Sequence, residues 1–199
     1  MRMKEAFRGA SLAFLLFGAG LGFAGVYLGI HHRATELVKP LPKLKPRSET
    51  ASDPGKPPPL DTARLQELED SLKSDPKNIQ ALTELGNMHA DQRNYTEALK
   101  WYQQAVNAEP RNITLRNYLG EAQFEASRID EALATFKAAL DIDSSNPEAL
   151  FDYGYVLLQG KNDPEGAIRS WEKLVQDNPK FDQLDRVKQL IATVKERIK

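Results

Sequence analysis

Residues 79–112 read IQALTELGNMHADQRNYTEALKWYQQAVNAEPRN, and residues 113–146 read ITLRNYLGEAQFEASRIDEALATFKAALDIDSSN. Set one above the other, they place Leu85-Gly86 over Leu119-Gly120, Ala98 over Ala132, Tyr102 over Phe136 and Ala105 over Ala139. A third copy starts at Pro147, with Tyr153-Gly154, Ala167 and Trp171 in the corresponding places once a single inserted residue is allowed. Asp75-Pro76, Glu109-Pro110 and Asp143-Ser144 mark the same period of 34 residues. Self-similarity at a fixed period of this size signals stacked units, none of which buries its apolar face alone.

The repeated residues have a physical logic. Glycine and alanine let two helices of one unit approach closely, while the large ring fills the gap against the next unit. On these residues the chain resembles the tetratricopeptide repeat (TPR) family, whose unit is a pair of antiparallel helices. Pro110 and Pro179 stand at the family's terminal proline. Some positions depart from the pattern. The large apolar residue at the fourth position is Leu82 and Leu150 in the outer repeats but Arg116 in the middle one. The eleventh position, usually tyrosine, is His89, Gln123 and Leu157; Leu174 replaces a small residue and Ser144 a proline. Together these departures are expected to leave the fold intact and to loosen the middle of the stack.

Outside the repeats at about 79–112, 113–146 and 147–180, residues 61–74 repeat Leu65, Leu68 and Leu72 at helical spacing and read as a leading helix. Residues 181–198 place Leu184, Val187, Leu190, Ile191, Val194 and Ile198 on one face, the profile of a capping helix over the open end of a solenoid. Asn162-Asp163-Pro164-Glu165 reads as a turn with Asp163 as helix cap and Pro164 as first helical residue.

The first 60 residues differ in kind. They carry nine Lys/Arg against four Asp/Glu, while residues 61–199 carry eighteen against twenty-four. Residues 9–30 contain no charge, and 22 residues of helix reach roughly 33 Å, enough to span a hydrocarbon core. Arg2, Lys4 and Arg8 precede the span, and His31, His32 and Arg33 close it. An uncleaved anchor is expected over a signal peptide cut near Gly22-Phe23-Ala24, because the apolar run continues past that point. The dense charge of the eight-residue tail favours the cytoplasm for residues 1–8 and the periplasm of a bacterial inner membrane for the repeats. Counted over the whole linker, Arg33, Lys39, Lys43, Lys45 and Arg47 argue the opposite way. Gly18, Gly22, Gly25 and Gly29 share one helix face of the small-residue type that brings membrane helices together, so a homodimer through this face is a further expectation. Residues 31–60 hold seven of the twelve prolines and read as an extended spacer of up to roughly 90 Å.

No chemistry is legible. The chain lacks cysteine, which removes disulfides, thiolate metal sites and a cysteine nucleophile. There is no glycine-rich phosphate loop, no zinc-type histidine motif and no catalytic constellation, so neither an enzyme, a metal nor a cofactor is expected. The acidic module is a poor partner for nucleic acid, since phosphate contacts need Lys or Arg. His89 occupies the repeat's tyrosine position and reads as packing. Asn94-Tyr95-Thr96 and Asn112-Ile113-Thr114 match the short glycosylation pattern.

What the resemblance implies instead is an all-α TPR superhelical solenoid of about three repeats, with leading and capping helices, behind one N-terminal transmembrane helix. In that family the concave groove is lined by the second, fifth, ninth and twelfth positions of each repeat. Here these are Gln80, Thr83, Asn87 and Ala90; Thr114, Asn117, Glu121 and Phe124; Glu148, Phe151, Tyr155 and Leu158. Phe151, Tyr155 and Leu158 beside Phe124 form an apolar stripe that is exposed unless the C-terminal helix covers it; exposed apolar patches mark contact sites. The family's carboxylate clamp is incomplete, because Asn87 matches it but Thr83 stands where its lysine belongs. The expected function is a membrane-anchored scaffold whose groove binds a peptide or helix of a partner protein and assists assembly of an envelope complex. The alternatives are a structural self-association module and, by a looser likeness, apocytochrome recruitment in c-type cytochrome maturation.

Overall fold

The computed structural model describes residues 59–199. The expected membrane span, its glycine face and residues 31–58 of the spacer lie outside them. The described residues form eight helices, and no strand occurs among them: α1 (Thr62–Ser74), α2 (Ile79–Asp91), α3 (Tyr95–Ala108), α4 (Ile113–Glu125), α5 (Ile129–Ile142), α6 (Pro147–Lys161), α7 (Pro164–Asp177) and α8 (Leu184–Arg197). Among these, no helix is long and apolar enough to cross a membrane.

Each repeat is a hairpin, α2–α3, α4–α5 and α6–α7, and the glycine in the middle of its first helix lies directly against the second helix. A β-carbon added at Gly86 would lie 2.4 Å from Tyr102 Cε1, at Gly120 2.7 Å from Phe136 Cζ, and at Gly154 2.5 Å from Trp171 Nε1. The large ring therefore rests first on the glycine of its own repeat. It also reaches the next one: Tyr102 stacks on Tyr118 at 5.6 Å, and Phe136 clusters with Val156 and Tyr153. Expecting the ring only between repeats missed the first of these contacts. The physical reason is that glycine removes the side chain that would hold two helix backbones apart.

The hairpin turns repeat as well. Arg93, Ser127 and Asn162 each take a left-handed backbone, with φ of 58°, 62° and 53°. Asn94 N–H donates to the His89 carbonyl and Arg128 N–H to that of Gln123, five residues back, as in a Schellman closure. In the third repeat Asp163 N–H reaches six residues back to Leu157, which places the inserted residue between them. Asp163 accepts from Gly166 N–H at 2.8 Å with Pro164 at the first helical position. Left-handed backbone strains any residue with a β-carbon. Ser127→Gly is accordingly expected to raise stability by about 0.5–1 kcal/mol once glycine's larger unfolded-state entropy is subtracted. A thermal melt against the parent checks this, and a fall in midpoint would contradict it.

The ends of the array are half-repeats. After α1, Asp75 N–H donates to the Ser71 carbonyl, Asn78 N–H donates to the Asp75 carbonyl, and the Asn78 side chain caps α2. Glu109 and Asn112 do the same after α3, and Asp143 and Asn146 after α5. Thus α1 is the second helix of a repeat, and α8 matches a first helix, burying Val187, Leu190, Ile191 and Val194. Arg64 stands at the place of Ala98, one period earlier. Arg64 instead latches α1 onto α2, its Nε and Nη2 donating to the Glu84 carboxylate at 2.6 and 2.8 Å. That pairing holds Glu84 below the usual carboxylate range.

Arg116 stands in the middle repeat where the outer repeats carry Leu82 and Leu150. Its guanidinium swings out to the Pro110 carbonyl, with donors at 3.0 and 2.6 Å. Inside the same repeat the Thr135 hydroxyl donates to buried Gln123 Oε1 at 2.7 Å, a satisfied polar tie between α4 and α5.

Candidate functional site

Helices α4 and α6, the first helices of consecutive repeats, touch each other directly as well as packing on the helices between them. This places first helices on the inside of the curve. The residues expected to line that face divide into two groups. Gln80 and Glu121 are exposed, and Thr83, Asn87, Thr114, Phe124 and Glu148 are half-buried. Asn117, Phe151, Tyr155 and Leu158 are buried, with 2, 2, 8 and 2 % of their surface accessible.

The expectation of an exposed apolar stripe is corrected by this burial. Phe151 stacks on Trp171 at 6.0 Å and on Tyr155 at 6.3 Å, and Tyr155 meets the edge of Phe124 at 5.6 Å. The four rings bridge α4, α6 and α7 as core. Trp171 is pinned from the other side, its indole N–H donating to the Phe151 carbonyl at 3.0 Å, while Ser170 Oγ donates to that of Leu150 at 2.7 Å. Offset and edge-on contacts of this kind stabilise beyond their area, so these side chains hold the third repeat to its neighbours.

The polar group is where the face has capacity left. Asn87 is already used: the Tyr102 hydroxyl donates to its Oδ1 at 2.8 Å. Thr83 Oγ1 and Asn117 Oδ1 are enclosed and have no hydrogen-bond partner among the described residues. A buried acceptor left unpaired costs about 1–3 kcal/mol, which makes both atoms natural receivers of a donor brought by a ligand. Sequence reasoning placed both residues on this face but had no means of telling the used asparagine from the unused one. It gave no role to Asp91, Glu125 and Asp152, which bring charge to the sixth and thirteenth positions of the first helices. Burial pushes the Asp91 carboxyl above its ordinary range. It raises the Tyr102 phenol far more, helped by the negative field of Glu121 and Asp91 and by Tyr118.

Asn94 and Asn112, the two asparagines in glycosylation-type triplets, cap α3 and α4 through Oδ1, and Asn112 Nδ2 also donates to Glu109 at 2.7 Å. Among the described residues no cluster of three or more His, Asp or Glu is arranged to hold a metal ion.

The hairpin stack, the small-on-large contacts and the polar inner face define a helical-repeat scaffold for protein contacts. Two tetratricopeptide repeat models match residues 77–145 and 119–182, together more than half of the chain. The chain belongs to the tetratricopeptide repeat family. Neither match is to a catalytic family. No curated protein matches the sequence. Among solved structures, a tetratricopeptide repeat protein from Parabacteroides merdae superposes with a TM-score of 0.57 at 21% identity, over 66% of this chain and 52% of that one. The crystal structure of MamA gives 0.54 at 19%, over 67% and 85%. The type III secretion translocator chaperone SycD of Yersinia enterocolitica, in an alternative dimer, gives 0.54 at 17%, over 60% and 90%. At these identities the likeness is one of fold.

Proposed function

We propose that this chain is a membrane-anchored scaffold that holds a peptide or helix of a partner protein on its inner face and assists assembly of an envelope protein complex. The observation that carries the binding reading is the pair of enclosed, unpartnered acceptors, Thr83 Oγ1 and Asn117 Oδ1, on the face formed by first helices. An extended or helical segment supplies N–H donors at such positions, and family membership makes protein contact the expected use of that face. Anchoring and envelope location are supported by the uncharged stretch 9–30 with its basic flanks. Apocytochrome recruitment is a narrower reading within the same class, and nothing in the geometry selects it.

Asn117→Leu tests the binding reading. Replacing a side chain whose buried amide oxygen is unpaired by an apolar one of similar volume is expected to leave stability unchanged or higher, while partner capture by the full chain is lost. Retained capture with intact folding would count against the inner face. Location is tested by protease treatment of intact spheroplasts carrying a tag after Lys199. Digestion from outside is expected; protection until lysis would place the scaffold in the cytoplasm.

A further inference from the structure

We infer that the inner face takes an uncharged segment of another protein whose glutamine or asparagine side chains reach Thr83 and Asn117. The inference rests on the scaffold reading and names the chemistry of its partner. The two residues occupy the same position, the fifth, of α2 and α4. Each holds an enclosed oxygen with no hydrogen-bond partner among the described residues, and Asn117 as a whole has 2 % of its surface accessible. The fifth residue of α6 is Phe151, packed on Trp171 and Tyr155. The backbones of α4 and α6 also lie against each other more closely than those of α2 and α4. The third repeat therefore carries no acceptor at this level, and the footprint of the ligand falls on the first two repeats.

Both oxygens accept, so a ligand that satisfies them must bring donors. An atom without accessible surface is met by the end of a side chain sooner than by a main-chain N–H, which lies flush between two Cα atoms. The last torsion of asparagine is soft, and threonine in a helix divides between two rotamers, so each oxygen can turn toward an incoming donor without moving its helix. Lysine and arginine bring donors with charge, and burying that charge on neutral oxygens costs more than burying a neutral donor. Four acids of the first helices are already engaged. Glu84 is held by Arg64 at 2.6 Å, Glu125 accepts from the Tyr95 hydroxyl at 3.4 Å, and Glu121 and Asp152 have interactions within the array. A carboxamide carries two N–H donors beside one carbonyl acceptor, the counterpart of the amide of Asn117, so the two can pair edge to edge. A hydroxyl brings a single donor and a methyl none.

The test uses the full chain in detergent micelles and fluorescein-labelled peptides of about twelve residues, alternating alanine with glutamine, with methionine or with lysine. Methionine matches glutamine in length but brings no donor. The glutamine peptide is expected to bind at least about ten-fold more tightly than either of the others, because it alone meets the enclosed acceptors with neutral donors. Its affinity should not change with salt, which screens only charge. Asn117→Leu and Thr83→Val should each lose about ten-fold in glutamine-peptide affinity, whereas Lys137→Gln on α5 should not. Circular dichroism shows that each variant is folded, and Thr83→Val carries the test if Asn117→Leu is not. Equal binding of the glutamine and methionine peptides, lost on Asn117→Leu or Thr83→Val, would overturn the carboxamide assignment and leave the inner-face reading standing. A lysine peptide that binds best and weakens with salt would do the same. Glutamine-peptide binding that no inner-face substitution changes would overturn both. No binding of any peptide by the folded chain would overturn the carboxamide assignment.

Discussion

Replacing Trp171 with alanine is expected to lower the unfolding free energy by about 3–5 kcal/mol, the largest single-residue effect in the array. The side chain has no accessible surface and is the largest of the fully buried residues. It rests on Gly154, stacks on Phe151 and donates to the Phe151 carbonyl, so truncation leaves a cavity shared by α6 and α7. Domains of this size are stable by about 5–15 kcal/mol, so the variant would lose a large share. In repeat arrays the loss stays near its origin, because each unit is coupled to its neighbours alone. Urea titration gives the size of the effect, and hydrogen exchange its place. Amides of α6, α7 and α8 should lose protection well before those of α2 and α3. A change below about 1 kcal/mol, or a uniform loss of protection, would show that Trp171 is not the keystone of the third repeat.

The second large effect is at Gly120. An alanine there gains helix propensity of up to about 1 kcal/mol, but its β-carbon would sit 2.7–2.9 Å from three atoms of the Phe136 ring. That ring has no accessible surface and no room to withdraw. Overpacking of this kind costs about 1–3 kcal/mol, so Gly120→Ala is expected to destabilise on balance. The diagnostic is the pair: Phe136→Leu should itself cost about 1–2 kcal/mol, yet the double variant should be more stable than the sum of the two losses by at least about 0.5 kcal/mol. Additive losses would mean that the glycine is there for some reason other than the ring.

These two sites also show what was legible in the sequence. Glycine, alanine and the large ring recur at fixed spacing because each hairpin needs the same close approach, so side-chain size alone announces the contact. The asparagines at 78, 112 and 146 were equally periodic, and their role as helix caps follows from residue type. The half-repeats were harder. Arg64 replaces the small residue that the signature has at Ala98, so α1, like α8, reads only as an amphipathic helix. Their place in the period becomes plain from the turn after α1 and the buried face of α8. The stripe of Phe151, Tyr155 and Leu158 was placed on the groove by family position. Whether such rings are open or packed depends on how tightly consecutive repeats curve, which residue type does not encode.

Site-specific photo-crosslinking in living cells tests the inner-face account most directly. A benzophenone side chain would be placed in the full chain at Gln80 or Glu121 on the inner face, and at Lys137 or Glu165 on the second helices. Illumination is expected to join a partner protein to the first two positions and not to the others. Adducts from Lys137 or Glu165 alone, or equally from all four, would contradict the assignment of the inner face as the contact surface.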